Sequence, residues 1–352
     1  MGSEMCIRDR FYALYCNYYI AFMICIFVVI WYILYSFKSV KQFFFRGIAF
    51  TFYSFLAAGM AALMLIPAYL GIKQTASGES MSLPEHSFLT NAADLLNRQF
   101  AMWTPITYDN FDGNANLYIG IFTVLAVVLY LLNSKIKISE KIKKVLLIGF
   151  LYLSFSEMIL NFIWHGFHDQ YGIPNRFSFL FGFVLLYMLW EVFENLEGTK
   201  GWHIALACMA GVGLLVYARA KGTNPLDDEV YGVAGMLFIL YGMLLFLYTL
   251  SRKRKGWYKN VFCIVALIEI VATAFMGFNE NGQIAVPKFF YGVNDMEKAV
   301  ASLEDKTFYR SELASSLIVD ENALYPINGV GLFGSTASDS MVNLMDNLGF
   351  YT

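Results

Sequence analysis

The sequence predicts a polytopic α-helical membrane protein, with about eight transmembrane helices followed by the start of an extracytoplasmic α/β module. Three observations lead to this prediction. Of the 352 residues, 58% are hydrophobic and only 15% are charged, which is less charge than a soluble domain carries. The apolar residues fall into long runs, and lysine and arginine concentrate in alternate connections between those runs.

The apolar runs are long enough to cross a hydrocarbon core, which needs about 20 residues of helix. They lie at 11–37, 47–70, 114–133, 145–165, 176–196, 202–218, 230–250 and 260–279. We therefore assign 11–279 to a transmembrane helical domain. Aromatic residues make up 18% of the chain, as expected where rings anchor helices at a membrane interface. The sequence contains no basic tract of the kind that binds nucleic acid.

The charge pattern assigns the connections to two sides of the membrane. Lysine and arginine are dense at 38–46, 135–144 and 252–259, with a further lysine at 200. The alternate connections hold few: Lys73, Arg98, Arg176, Arg219 and Lys221. Since positive residues are enriched on the cytoplasmic side, the first set is predicted to be cytoplasmic. The region after 280 is then extracytoplasmic.

Two segments on the predicted outer side have their own structure. SFLTNAADLLNRQF at 87–100 has apolar residues on one helical face, which predicts an amphipathic helix lying along the outer membrane surface. The segment 280–352 contains VNDMEKAVASL, in which Asn294 and Glu297 resemble a capping box, and SDSMVNLMDNLG, a short helix stopped by Gly349. TFYRSEL and ALYPINGVGLF predict strands between these helices, so the segment is expected to be a truncated α/β domain.

The chain has five cysteines without CxxC spacing: Cys6, Cys16, Cys25, Cys208 and Cys263. We expect neither a disulfide framework nor a zinc site. The last four fall inside apolar runs and are predicted to be small buried residues.

Polar side chains concentrate in NFIWHGFHDQYGIPNRFSFLFGF at 161–183, where two apolar runs meet on the predicted outer side. The candidate substrate-binding residues there are His165, His168, Asp169, Asn175 and Arg176. The planar guanidinium of Arg176 can hold a phosphate or pyrophosphate at head-group level, and the other side chains can bind a metal or polar substrate groups. Interface loops also carry such residues as membrane anchors, and HxxH alone is a weak metal motif, so both interpretations stay open.

YDNFDGNANLY, before the third run, carries Asp109 and Asp112. Their spacing is compatible with a divalent cation such as Mg²⁺ or Mn²⁺. The simpler interpretation, which we favour, is a polar turn in which Asn114 caps the third helix. A divalent cation is thus compatible with either loop, and the cofactor is otherwise unassigned.

Three carboxylates lie inside the apolar runs: Glu157, Glu191 and Glu269. Glu269 is near the centre of the eighth run, so it should be paired, protonated or facing a wet cavity. Glu191 is closer to the cytoplasmic end and can reach the interface. Such residues also serve ion pathways, which leaves a transporter open, although no lysine or arginine lies mid-run to complement them.

Four stretches, taken in order, resemble the YfhO family of bacterial membrane proteins: NYYIAFMICIFVVIWYIL, HSFLTNAADLLNRQF, NANLYIGIFTVLAVVLYLL and WHGFHDQYGIPNRFSFLF. The resemblance implies a protein of the bacterial plasma membrane similar to GT-C-type glycosyltransferases. Such a protein takes a sugar from a polyprenyl-phosphate donor and transfers it to an envelope glycopolymer such as lipoteichoic acid. The alternatives are a transporter or flippase for a lipid-linked sugar and a non-catalytic envelope scaffold.

The resemblance also implies that this chain lacks a part that other members of the family have. GT-C enzymes carry an essential acid in their first outside loop, whereas the first run here matches a later helix of the family. The chain is therefore expected to be an internal fragment, and no catalytic acid is assigned to it. MGSEMCIRDR at 1–10 back-translates to the end of a transposon-based sequencing adapter. We treat it as non-native and expect it to be disordered or loosely attached.

Overall fold

The computed structural model of this protein describes residues 3–37, 39–75, 82–106, 114–168, 173–251, 255–280 and 292–302, together with 307, 309–313, 322, 325, 327–329 and 338–349. The chain divides into two compact units. The first comprises Met1–Tyr15, Ser54–Met81 and Gly282–Thr352, and the second comprises Cys16–Tyr53 and Ser82–Asn281. The second unit contains most of the apolar runs and the candidate loop.

The described residues form α-helices and no strand. In chain order the helices are α1 (Ser3–Cys16), α2 (Tyr18–Tyr35), α3 (Val40–Met60), α4 (Ala62–Ile72), α5 (Ala92–Phe100), α6 (Ile121–Leu132), α7 (Ile138–Ser156), α8 (Met158–Trp164), α9 (Ser178–Glu194), α10 (Gly201–Lys221), α11 (Asp228–Leu250), α12 (Lys255–Glu280), α13 (Val293–Ser302) and α14 (Asp339–Asn347). The prediction of a helical protein is confirmed for this part of the chain.

Within the described ranges, five helices are long and apolar enough to cross a membrane: Tyr18–Tyr35, Val40–Met60, Gly201–Lys221, Asp228–Leu250 and Gly256–Asn279. Their faces carry large apolar side chains that the protein does not cover. Phe45 in α3 is 76% exposed and Phe278 in α12 is 67% exposed. Such faces suit a hydrocarbon environment. The prediction of several transmembrane helices is confirmed, but the number of about eight is not.

Local interruptions explain why the other runs give shorter helices. The third run becomes helical only at Ile121, because Gly120 adopts a φ of +94° that favours glycine. The fourth run breaks at Glu157, whose extended backbone ends α7 and begins α8. The second run divides at Ala61 between α3 and α4. Asn114 does not cap the third helix, contrary to the prediction, since it lies well before Ile121.

The core of the second unit lies where α6 packs against α9, α10 and α11. Glycine allows the close approach of α10 and α11. A Cβ atom at Gly211 would lie 2.7 Å from the ring of Phe238, and one at Gly242 would clash with the Sγ atom of Cys208. Small residues at helix contacts are typical of membrane proteins, where close packing replaces the hydrophobic effect between helices.

The connections of the second unit gather at the two ends of α10. Near its start, the side chain of Asn133 donates to the carbonyl of Asn195 at 2.9 Å. Near its end, Asn97 in α5 donates to the carbonyl of Ala218 at 3.1 Å. The first group belongs to the predicted cytoplasmic connections and the second to the predicted outer ones. The structure thus separates the two sets, while their orientation in a membrane stays a prediction.

The amphipathic helix predicted at 87–100 is present as α5, and it is more deeply buried in the protein than a helix with one exposed polar face; its position along the outer membrane surface stays a prediction. The apolar residues Leu95 and Phe100 are buried, and so are the polar residues Asp94 and Asn97. The helix packs against α10. It is drawn into the protein because its polar side chains find hydrogen-bond partners around the end of α10.

The first unit contains both ends of the chain. Helices α13 and α14 confirm the helices predicted there, and Gly349 after α14 has a φ of +85°, as a stop residue requires. The backbone N–H of Asp339 donates to the carbonyl of Gln74 at 3.1 Å, which connects α14 to the end of α4. The described residues of 307–313 and 323–333 form no strand, so the α/β module is not confirmed; strands need a paired neighbour, which sequence pattern does not supply.

Residues 3–10 form the first turns of α1, where Ile7 is half-buried rather than tightly packed, so the expectation that 1–10 is loosely attached stays a prediction. The expectation that the cysteines of the apolar runs are buried was wrong for three of the four. Cys16, Cys25 and Cys263 are exposed and are not core residues, whereas Cys208 is half-buried and packs against the core in the contact between α10 and α11. The three exposed cysteines lie on helices whose outer faces the described residues leave uncovered.

Candidate functional site

Asn175 lies at the centre of the candidate loop, between α8 and α9. It is fully buried and has a φ of +51°, a left-handed conformation that asparagine tolerates. Its amide donates to the carbonyls of Asn114 (3.1 Å) and Phe155 (3.5 Å) and accepts a hydrogen bond from the side chain of Asn161. These contacts hold together three segments that are far apart in sequence.

His165 is buried beside Asn175, directly after the end of α8. Its Nδ1 atom lies 2.8 Å from the carbonyl of Asn161, and because a carbonyl only accepts, Nδ1 carries the proton. The Nε2 atom is buried and has no hydrogen-bond partner among the described residues. Burial near the positive charge of Arg176 favours the neutral ring, so Nε2 offers a lone pair that can accept from a hydroxyl group.

Arg176 is exposed and is held against an aromatic ring from another helix. Its guanidinium carbon lies 5.4 Å from the ring centre of Tyr19 in α2, and its Nε donates to the carbonyl of Ile173 at 3.4 Å. The ring of Tyr19 lies 6.4 Å from that of His165. The structure therefore groups Arg176, Tyr19 and His165 on one side of Asn175.

Stacked aromatic rings pack against the candidate loop and support it. The ring of Phe177 stacks on Trp164 at 4.7 Å and on Phe155 at 4.8 Å. All three side chains are buried. This stack joins the end of α7, the end of α8 and the start of α9, and it fixes the backbone that presents His165 and Arg176.

The remaining predicted site residues are only partly described. His168 is half-buried in the loop. Asp169, and the pair Asp109 and Asp112, lie outside the described residues, so the structure does not test the cation site. Across the described ranges, no group of three or more His, Cys, Asp or Glu side chains is arranged to hold a metal.

The intramembrane carboxylates are held by protein groups. Glu269 in α12 accepts hydrogen bonds from the hydroxyls of Tyr118 and Tyr241 and, at 2.7 Å, from the backbone N–H of Ile121. Glu157 caps α8 by accepting from the N–H of Leu160 at 2.7 Å. The other oxygen of Glu157 is buried without a hydrogen-bond partner in the described part of the chain. The pairing expected for Glu269 is thus present.

Sequence reasoning missed two contacts, one at the predicted cytoplasmic end of the helices and one at the candidate loop. Lys144, taken as a topology signal, is fully buried and lies 3.4 Å from Glu191 and 2.9 Å from the hydroxyl of Tyr35. Glu191 therefore pairs inside the protein rather than reaching the interface alone. Tyr19, which supports Arg176, was indistinguishable from the many interface tyrosines. No sequence signal could have found either contact, because each joins residues more than forty positions apart.

The fold and this loop define a polytopic helical membrane protein with a polar site at one end of its helices. The family model described as "Bacterial membrane protein YfhO" matches residues 10–352, so the chain belongs to the YfhO family. No curated protein and no solved structure matches the chain. The resemblance inferred from the four stretches is confirmed at the level of the family.

Proposed function

We propose that this chain is part of a GT-C-like membrane glycosyltransferase, which takes a sugar from a polyprenyl-phosphate donor and transfers it to an envelope glycopolymer such as lipoteichoic acid. The proposal places the protein in the bacterial plasma membrane with the candidate loop on the outer side. One observation supports it above the others: Arg176 is held over Tyr19, beside the Nε2 of His165, which has no hydrogen-bond partner in the part of the chain that the structure describes.

Arg176 is suited to bind the phosphate of the donor. Its planar guanidinium presents donors that match phosphate oxygens, and the ring of Tyr19 restricts its orientation. Arg176 also precedes Ser178, where α9 begins, and the amino end of a helix favours an anion. The lone pair of His165 Nε2 would accept a hydrogen bond from a sugar hydroxyl.

The reaction itself exchanges one bond at the sugar. The anomeric carbon forms a bond to an acceptor hydroxyl oxygen, and its bond to the phosphate oxygen breaks, which releases polyprenyl phosphate. The acceptor proton passes to a base, and no residue of this chain is assigned that role. The residues described here would bind and orient the donor.

Arg176→Ala tests this assignment when it is introduced into the full-length protein of which this chain is expected to be a part, in membrane vesicles supplied with radiolabelled polyprenyl-phosphate hexose. Loss of a charge-assisted contact should lower transfer about 10- to 100-fold, and Arg176→Lys should recover part of it. Arg219→Ala is the matched control, because Arg219 also lies over a tyrosine, 5.6 Å from Tyr231, on the same predicted side. We expect the Arg219→Ala protein to transfer the sugar at the wild-type rate.

Two results would contradict the proposal. His168→Ala should also reduce transfer, so wild-type transfer by both Arg176→Ala and His168→Ala would remove the loop from the donor site. Alternatively, Glu269→Gln could abolish movement of lipid-linked sugar across the membrane while transfer persists. That result would favour a transporter or flippase.

A further inference from the structure

A groove of about 1140 Å³ runs along one side of the second unit. Helix α7 lines it from Val145 to Ser156, through Gly149 and Leu153. At 1.5 Å per residue this stretch is about 16 Å long, roughly half of a hydrocarbon core about 30 Å thick. The groove therefore has the length of a lipid chain that occupies one leaflet.

The walls of the groove are apolar and open to the outside of the helices. Val127 and Leu131 from α6 and Met188 from α9 complete the wall opposite α7. Leu131, Val145 and Leu153 are 40–48% exposed, although they line the groove. In a membrane protein such an opening faces lipid, so a lipid chain can enter sideways.

One end of the groove is polar, and the described residues that line it carry no positive charge. No lysine, arginine or histidine is among the described residues that line it, and Lys221, close in sequence, is not one of them. The carboxylate of Asp94 lies there, accepting from Thr223 N (2.8 Å) and Oγ1 (2.6 Å) and from Asn224 N (3.1 Å). A phosphate head group would meet this carboxylate without a cation to offset the repulsion.

The same end offers neutral hydrogen-bonding groups. Asn91, Thr223 and Asn224 are exposed and line the groove. Amides and hydroxyls both donate and accept, as the hydroxyls of a sugar do. Thr90, also at this end, donates to Asn114 at 3.3 Å, and Asn114 in turn accepts from Asn175. The polar end thus lies next to Asn175, at the centre of the candidate loop.

We propose that this groove binds one acyl chain of a membrane glycolipid with an uncharged, hydroxyl-bearing head group. The chain lies along α6 and α7, and the head group contacts Asn91, Thr223 and Asn224. The site is separate from the phosphate site proposed at Arg176. It would bind such a lipid whether or not the protein transfers a sugar.

The first experiment measures selectivity in the purified full chain carrying Arg176→Ala, which removes the phosphate site proposed above and does not line the groove. Native mass spectrometry in detergent compares glucosyl-diacylglycerol with phosphatidylglycerol that has identical acyl chains. We expect the neutral glycolipid to be retained about tenfold better than the anionic lipid. Equal retention, or preference for the anionic lipid, would overturn the proposal.

The second experiment fills the groove. A Cβ atom at Gly149 would meet no other atom within 4 Å, and the same holds for Gly213 in α10, which does not line the groove. Leucine favours helix over glycine by about 0.8 kcal/mol, so both Gly149→Leu and Gly213→Leu should fold. Gly149→Leu should lower glycolipid retention about tenfold and Gly213→Leu should not. Equal retention by the two variants would show that the lipid binds elsewhere.

The third experiment tests the head group with Asn224→Ala, which keeps the backbone N–H that donates to Asp94. Loss of the amide should lower the retention of glucosyl-diacylglycerol about 3- to 10-fold. The retention of plain diacylglycerol should not change, since only the sugar contacts this residue. If the retention of both lipids falls equally, or the retention of neither falls, the assignment of the head group is wrong.

Discussion

Glu269 shows how a single buried carboxylate is accommodated in this protein. It accepts hydrogen bonds from Tyr118, Ile121 and Tyr241, and these donors come from the start of α6, the segment before it and α11. A negative charge at the start of α6 also interacts favourably with the helix dipole. A buried charge with this many donors is typical of a structural contact between helices.

This arrangement makes a prediction at the residue scale. Glu269→Leu would leave three buried donors without their acceptor, so it should lower the free energy of unfolding by about 3 kcal/mol. Glu269→Gln keeps one acceptor oxygen and should lower the free energy of unfolding by only about 1 kcal/mol. Denaturant unfolding in detergent micelles, followed by circular dichroism, measures both. Equal losses in the two variants would mean that the hydrogen bonds contribute little.

At the scale of elements, α5 is bound to the connection between α10 and α11. Asp94 accepts three hydrogen bonds from that connection, and Asn97 accepts from Tyr231 at 2.7 Å. A Cβ atom at Gly222 would clash with the side-chain nitrogen of Asn97, so glycine is needed for the close approach. These contacts hold α5 against the end of α10.

We therefore expect Asp94→Ala to release this connection. Hydrogen exchange of the Thr223 and Asn224 amides should accelerate about 10- to 100-fold, because both lose a charged acceptor. Asp228→Ala serves as the control, since Asp228 forms an exposed pair with Arg219 at 2.7 Å that should contribute little. Unchanged exchange in Asp94→Ala, or equal acceleration in the control, would contradict this role.

At the scale of the whole molecule, the connections at the two ends of α10 should lie on opposite sides of the membrane. Ser134→Cys and Pro225→Cys, each introduced into a chain without its native cysteines, test this with a membrane-impermeant maleimide in intact cells. We expect labelling at 225 but not at 134, because lysine and arginine concentrate near 134. Labelling of both positions, or of 134 alone, would contradict the predicted orientation.

The parts that sequence predicted well depend on composition and local pattern. Long apolar runs predict helices because a lipid environment requires every backbone group to be paired within the segment. The pattern was less reliable for length, because Gly120 and Glu157 interrupt helices through backbone conformation and capping that hydropathy does not register. The candidate loop was found as a cluster of polar residue types, whereas Tyr19 and Asn161, which position it, were not.

The sequence was sufficient to establish a helical membrane protein of the YfhO family, with a polar loop between two apolar runs. Those properties follow from residue types and their local order. Only the folded chain decided that α5 is buried, that Lys144 pairs with Glu191, that Nε2 of His165 is buried without a partner among the described residues, and that a lipid-sized groove follows α7. Each of these depends on contacts between distant segments, and the energy of such contacts depends on packing that no local pattern encodes.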